Sequence, residues 1–205
     1  MGKFIDRGNE AFKGYLSGEY VDKTELIAFV NSTVNTVFKL TCVTRPRRFG
    51  KSMAAQMLCA YYDKSADSRE LFSAFKIAGN PTFKQHLNKY PTIALDITDF
   101  ITKYYGNRDI VGIIQRDVVK DILKSYPDIE QDDDDDLLDV LQKVCHATGE
   151  KFVLIIDEWD ALCREAADKP ELMNDYVNLL RRMFKGGSTS SIFACVYMTG
   201  ILPIM

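Results

Sequence analysis

The sequence predicts an α/β fold of three layers, a mostly parallel central sheet with helices on both faces. Three observations predict it. Four apolar runs of strand length, at 38–43, 92–97, 151–156 and 192–199, lack strict polar alternation, as strands buried on both faces do. Helix-forming stretches separate these runs, as parallel pairing requires, because the chain must cross back over the sheet between one strand and the next. The 205 residues are 46% hydrophobic, 11% aromatic and 27% charged, an ordinary globular composition at a length suited to one domain.

That domain, 1–205, divides into a helical N-terminal segment, 1–36, and a sheet core, 37–205. The segment reads as amphipathic helix with a break at Gly18-Glu19 and a polar cluster at Asn31-Ser32-Thr33. The first strand, Phe38–Val43, runs into Thr44-Arg45-Pro46-Arg47-Arg48-Phe49-Gly50-Lys51-Ser52 and then a helix over Met53–Tyr62, where Ala, Met, Leu and Gln favour that state. Asp63–Ser68 is a polar connection, and Leu71, Phe72, Phe75 and Ile77 form a small apolar cluster. Pro91 opens the second strand, Thr92–Ile97. Ile110, Ile113, Ile114, Val118 and Ile122 are spaced for one buried face of a helix over Asp109–Ser125. Pro127 and the run Asp132–Asp136 interrupt it, and Leu137, Leu138, Val140, Leu141 and Val144 mark another helix ending near Gly149. Lys151–Ile156 is a nearly continuous apolar strand that delivers Asp157-Glu158-Trp159-Asp160 at its carboxyl end. Glu171–Lys185 reads as a helix stopped by Gly186-Gly187, and Ile192–Thr199 is the last strand.

Charge and cysteine usage exclude several functions. With 26 Lys+Arg against 29 Asp+Glu the net charge is −3, so no overall basic field recruits nucleic acid. The aspartate run supplies much of that excess. It lacks the Gly and spaced terminal Glu of a calcium loop and reads as a solvated acidic loop. Five widely spaced cysteines without a CxxC pair support neither a zinc ribbon nor a disulfide framework. Cys42 and Cys195 fall in strands and read as packing residues. His86 and His146 stand apart, Arg181-Arg182 reads as a solvated helix face, and Tyr104-Tyr105 as cover for the sheet. No apolar run approaches a membrane span or a signal-peptide core. A reduced, cytoplasmic protein is expected.

Gly50-Lys51-Ser52, between a buried strand and a helix, carries the strongest chemical signal. A loop there aims backbone N–H groups and the helix dipole at a polyphosphate. Lys51 would reach the β/γ-phosphates, and the Ser52 hydroxyl would hold Mg²⁺. The general pattern GxxxxGK[ST] has its first Gly replaced by Arg45. Arg45, Arg47 and Arg48 set three guanidinium groups beside the anion site. Together with Phe49, Gly50, Lys51, Ser52 and Met53 they make the expected nucleotide-binding set.

Asp157 and Glu158 end an apolar strand downstream. In a nucleotide-hydrolysing sheet the first acid holds Mg²⁺ through its water shell and the second activates the attacking water. Thr199, at the end of the next strand, is in order to hydrogen-bond that water or the γ-phosphate. Lys51, Glu158 and Thr199 are therefore the expected catalytic group, and Ser52 and Asp157 the metal ligands.

These stretches resemble the AAA-ATPase-like family of bacterial and archaeal proteins, a branch of the P-loop NTPases. The matching residues are Tyr20–Thr24, Arg45-Pro46-Arg47-Arg48-Phe49-Gly50-Lys51-Ser52, Leu71-Phe72, Leu95-Asp96, Leu154–Asp160 and Thr199-Gly200-Ile201. The loop without its first Gly is typical of that family; Trp159 stands where Tyr is usual. The resemblance implies ATP and Mg²⁺ as ligands and ATP hydrolysis as the activity. Family members usually continue into a further strand, a helical region and often a nuclease-like domain, so the sheet is expected to be incomplete at its C-terminal end and no nuclease is carried over. The other reading is an ATPase-like interaction protein that occupies a partner with little or no turnover.

The same resemblance puts the missing strand beside Phe38–Val43. That strand is expected to have an open edge, met either by self-association or by a segment from 1–35 packed over it. Pro203, which lacks a ladder donor, keeps the last residues from filling the place.

Overall fold

The computed structural model describes residues 2–165, 169–185 and 191–202. Four strands, β1 (Leu40–Thr44), β2 (Thr92–Asp96), β3 (Phe152–Asp157) and β4 (Phe193–Gly200), form an all-parallel sheet in the order β1-β4-β3-β2. β3 therefore has backbone partners on both sides, while β1 and β2 are the edges. β1 lies about two residues later than the apolar run suggests. Phe38 is apolar but outside the ladder and exposed.

Alternation along the strands splits the core into two layers. Leu154, Ile156, Val196 and Met198 face one cluster; Val153, Ile155, Cys195 and Tyr197 face the other. The first is covered by α7 (Ile110–Ser125), α8 (Leu137–Thr148) and α10 (Pro170–Lys185). The second is covered by α1 (Glu10–Leu16), α2 (Glu25–Asn31) and α3 (Lys51–Tyr62), with Phe72 of the short α4 (Arg69–Ser73), Ile77 of a 3₁₀ turn (Lys76–Gly79) and Phe83 of α5 (Phe83–His86). Apolar side chains on both faces of each strand explain why the runs do not alternate with polar residues. Ile110, Ile114, Val118 and Ile122 are buried as their four-residue spacing demands; Ile113 is only half-buried. α8 starts on a capping box between Asp136 and Asp139 and ends on Gly149 at φ +71, a conformation that costs glycine little.

The acidic run is more organised than a solvated loop. Asp136 caps α8 and pairs with Arg182, and Lys143 bridges Asp132 and Asp135. Arg182 is thus a tether between α10 and the start of α8. The Gly186-Gly187 stop and Pro203 lie outside the described residues. Among the described residues no helix is long and apolar enough to cross a membrane.

The N-terminal segment departs most from its helical expectation. Ile5 makes a single antiparallel bridge to Ile93 of β2, flanked by Ala94 N–H donating to Phe4 O at 2.8 Å and Asp6 N–H to Thr92 O at 3.1 Å. α1 and α2 then pack on the α3 side of the sheet. Phe4–Asp6 therefore lies along the β2 edge. Of the two expected ways to meet the first-strand edge, cover by a segment from 1–35 is corrected for the described residues: none of 2–35 pairs with the outer side of β1. Among the described residues no strand pairs with the outer side of β1.

Candidate functional site

All four strands run the same way, so their carboxyl ends gather at one rim, where open parallel sheets bind ligands. Thr44 lies beside Gly200, Val43 beside Thr199, and Asp96 beside Asp157. The loop from β1 to α3 and the short helices α6 (Ile97–Lys103) and α9 (Ala161–Glu165) frame a cavity of about 650 Å³ at this rim. Another cavity of about 650 Å³, between α7 and the acidic loop, shares none of its lining. Size alone does not single out the site; the strand ends and the loop do.

The loop turns into α3 through Arg48 at φ +68 and Gly50 at φ +73. Left-handed residues that alternate with others just before a helix can turn backbone N–H groups to one side, as in anion-binding nests. No side chain caps the first turn of α3, which starts at Lys51 rather than Met53. Its N–H groups and dipole remain for an anion.

Lys51 is only 7% exposed. Its ammonium donates to the carbonyls of Arg45 (3.1 Å) and Pro46 (3.2 Å) and lies 3.2 Å from Glu158 Oε1. The loop lysine and the strand-end glutamate, 107 positions apart in sequence, thus form an ion pair inside the cavity. Arg47, Arg48, Gly50, Ser52 and Met53 also face it. Arg45 and Phe49 do not; Arg45 N–H donates to Gly200 O, fastening the loop to β4, and Phe49 is exposed.

Asp157 lies deeper, nearly fully buried. Thr199, itself buried, donates its hydroxyl to Asp157 Oδ1, and its Oγ1 accepts the Glu158 N–H at 3.2 Å. The sequence places Thr199 toward the attacking water; here its hydroxyl serves Asp157 and the backbone of Glu158. Glu158 has φ +51, so the strand turns sharply as it ends and presents the carboxylate to the cavity. Gly200 is required by close approach, since a Cβ there would lie 2.6 Å from Trp159 Nε1 and 2.9 Å from Asp160 Oδ1.

Sequence reasoning missed three site residues. Asp96 ends β2 beside Asp157, caps α6 through the N–H groups of Thr98 and Asp99, and faces the cavity. Burial, with the charge of Asp157 added, pushes its carboxyl above the usual range. Asp160 is fully buried and accepts N–H bonds from Ile201 (3.0 Å) and Leu202 (2.8 Å). Burial acts to raise its carboxyl, yet the Arg164 guanidinium and those two N–H groups hold it below the usual range. Arg164 forms ion pairs with both Asp160 and Glu158 and donates a hydrogen bond to Glu158. The i, i+4 spacing of Asp160 and Arg164 is a helical ion-pair signal readable in sequence; the contact with Glu158 is not.

Ser52 and Asp157 supply a hydroxyl and a carboxylate, the hard oxygen donors that suit Mg²⁺, which keeps several waters and takes phosphate oxygens besides. Among the described residues no group of three or more His, Cys, Asp or Glu side chains gathers as a metal cage.

A family model described as Predicted AAA-ATPase matches residues 12–205, nearly the whole chain, so the chain belongs to the AAA-ATPase-like family. Neither a curated protein nor a solved structure matches it.

Proposed function

We propose that this member of the AAA-ATPase-like family binds ATP with Mg²⁺ at the rim of its sheet and hydrolyses it. The observation that carries the reading is the ammonium of Lys51, buried at the uncapped start of α3 and held 3.2 Å from Glu158. The three donors of this buried ammonium go to two carbonyls and one carboxylate, and exchanging the carboxylate for a phosphate oxygen would keep the charge paired. Lys51, Arg47, Arg48 and the loop N–H groups neutralise the β/γ-phosphates. Ser52 and Asp157 would hold the metal, which would supply charge neutralisation there. Glu158, released from Lys51 when phosphate takes its place, accepts the proton of the attacking water. Thr199 keeps Asp157 oriented.

Calorimetric titration tests the binding half. Lys51→Ala is expected to abolish Mg-ATP binding; wild-type affinity in that variant would sink the reading. Glu158→Gln keeps shape and loses the base, so binding is expected to persist while phosphate release falls to a small residual rate. Unchanged turnover would assign the water to another residue.

A second reading is favoured by the open β1 edge, where Val37 and Phe38 are exposed. There the chain works by pairing with another protein or a second copy, with little turnover. No phosphate release by the wild type at saturating Mg-ATP, with mass rising across a light-scattering concentration series, would favour it.

A further inference from the structure

Arg164 approaches Glu158 from the side away from Lys51. Its Nη2 donates to Glu158 Oε2 at 3.0 Å, while Lys51 holds Oε1 at 3.2 Å. Its Nη1 lies 2.6 Å from Asp160 Oδ1. Asp160 is immobilised in turn by burial and by the two N–H groups after β4. The guanidinium is therefore anchored at one end on a fixed acid and presents its other end to the carboxylate that would activate water. It faces the same cavity as Ser52.

The two cations on Glu158 are not equivalent. Lys51 is the loop lysine and goes to the phosphates when nucleotide binds. Arg164 has its own buried counter-ion and keeps its place. A glutamate freed from one partner regains rotamer freedom unless the second restrains it, and a planar guanidinium can bridge two carboxylates where an ammonium holds one point. We infer that Arg164 is a positioning residue for the hydrolytic step, holding the Glu158 carboxylate in place once phosphate has taken Lys51. The inference rests on the function proposed above and deepens it: binding belongs to Lys51, and the aim of the base belongs to Arg164.

Steady-state kinetics of the full chain test it. Arg164→Ala is expected to lower kcat about 10- to 100-fold, the usual effect of a misplaced catalytic group, while KM for Mg-ATP stays within about threefold. Arg164→Lys, which keeps a charge on Asp160 and should fold if the alanine variant does not, is expected to fall between. The discriminating readout is a double-mutant cycle: if Arg164 acts through Glu158, removing it from Glu158→Gln costs no further activity. Millimolar guanidinium is expected to restore part of the kcat of Arg164→Ala and none of that of Glu158→Gln. Wild-type kcat in either folded Arg164 variant, or full additivity with Glu158→Gln, would overturn the inference alone. A wild type that binds no Mg-ATP or releases no phosphate would overturn the proposed function, and the inference with it.

Discussion

Ile93 on β2 and Leu40 on β1 sit on opposite edge strands of one sheet, in different surroundings. Ile93 is 1% exposed, in the core cluster under α7 and α8 and bridged on its outer side by the fully buried Ile5. Leu40 is 42% exposed, and Phe38, two residues before it, 77%. Cys195 on β4 is buried, whereas Cys42 on β1 is half-buried. The difference reaches the site. Asp157 ends β3 and Glu158 follows it, and β3 is held by neighbours on both sides; the loop into α3 hangs from β1, which is held on one. The acid half of the candidate site is thus built on a strand paired on both sides and the loop half on a strand paired on one. That is where adjustment to a ligand costs least.

The largest expected effect tests the closed edge. Ile93→Ala or Ile5→Ala leaves a cavity between the N-terminal strand and β2, and should cost about 2–5 kcal/mol in denaturant unfolding. A cost below about 1 kcal/mol, the scale of a surface change, would mean that Phe4–Asp6 does not seal β2 in solution, and the contrast between the edges would collapse.

A smaller effect sharpens the same edge through pH. Asp6, at φ +52, leaves Oδ1 buried without a hydrogen-bond partner. Burial, then the charge of Asp63, raises its carboxyl from 3.8 to about 6. A raised folded-state value means that the folded protein favours the protonated acid. The stability from this group is complete below pH 4 and is lost as pH rises through 6. Asp6→Asn, which suits the left-handed backbone, should stabilise by about 1 kcal/mol at pH 7.5, discounting for water that reaches the group. The gain should vanish near pH 4 in paired melting curves. A constant offset across that range would mean that ionisation of Asp6 is not the cause.

Much of this was legible in the sequence, and the limits have physical reasons. The four strands were readable because side chains buried on both faces leave runs without alternation. That Lys51, Ser52 and Glu158 meet at one rim was readable because a strand that runs into Gly-Lys-Ser and a second that ends in two acids put both at the carboxyl edge of one parallel sheet. Phe4–Asp6 was not, since a single short edge segment has no period to detect and its pairing is decided by the facing strand. Arg164 escaped for a related reason: its link to Glu158 depends on how α9 leaves β3. Thr199 was located but its partner was not, since a hydroxyl beside a buried carboxylate donates to the nearest acceptor.

The smallest expected effect concerns the open edge. Phe38→Ser should change stability by no more than about 0.5 kcal/mol, since an exposed side chain loses little burial. Hydrogen exchange then reads the edge residue by residue. The Lys39 carbonyl accepts from Val196, and the Arg45 N–H donates to Gly200. In a parallel pair successive residues point to opposite sides, so Thr41 and Val43 face β4 while Leu40, Cys42 and Thr44 face outward. Thr41 and Val43 should exchange slowly in the free protein, and Leu40, Cys42 and Thr44 fast. Equal protection at all five, falling on dilution, would mean that a second copy closes β1 as Phe4–Asp6 closes β2, and Phe38→Ser should then weaken that closure. Equal protection that persists on dilution, with the mass of a monomer, would place a covering segment of this chain on the edge. The asymmetry between the two edges would then be false.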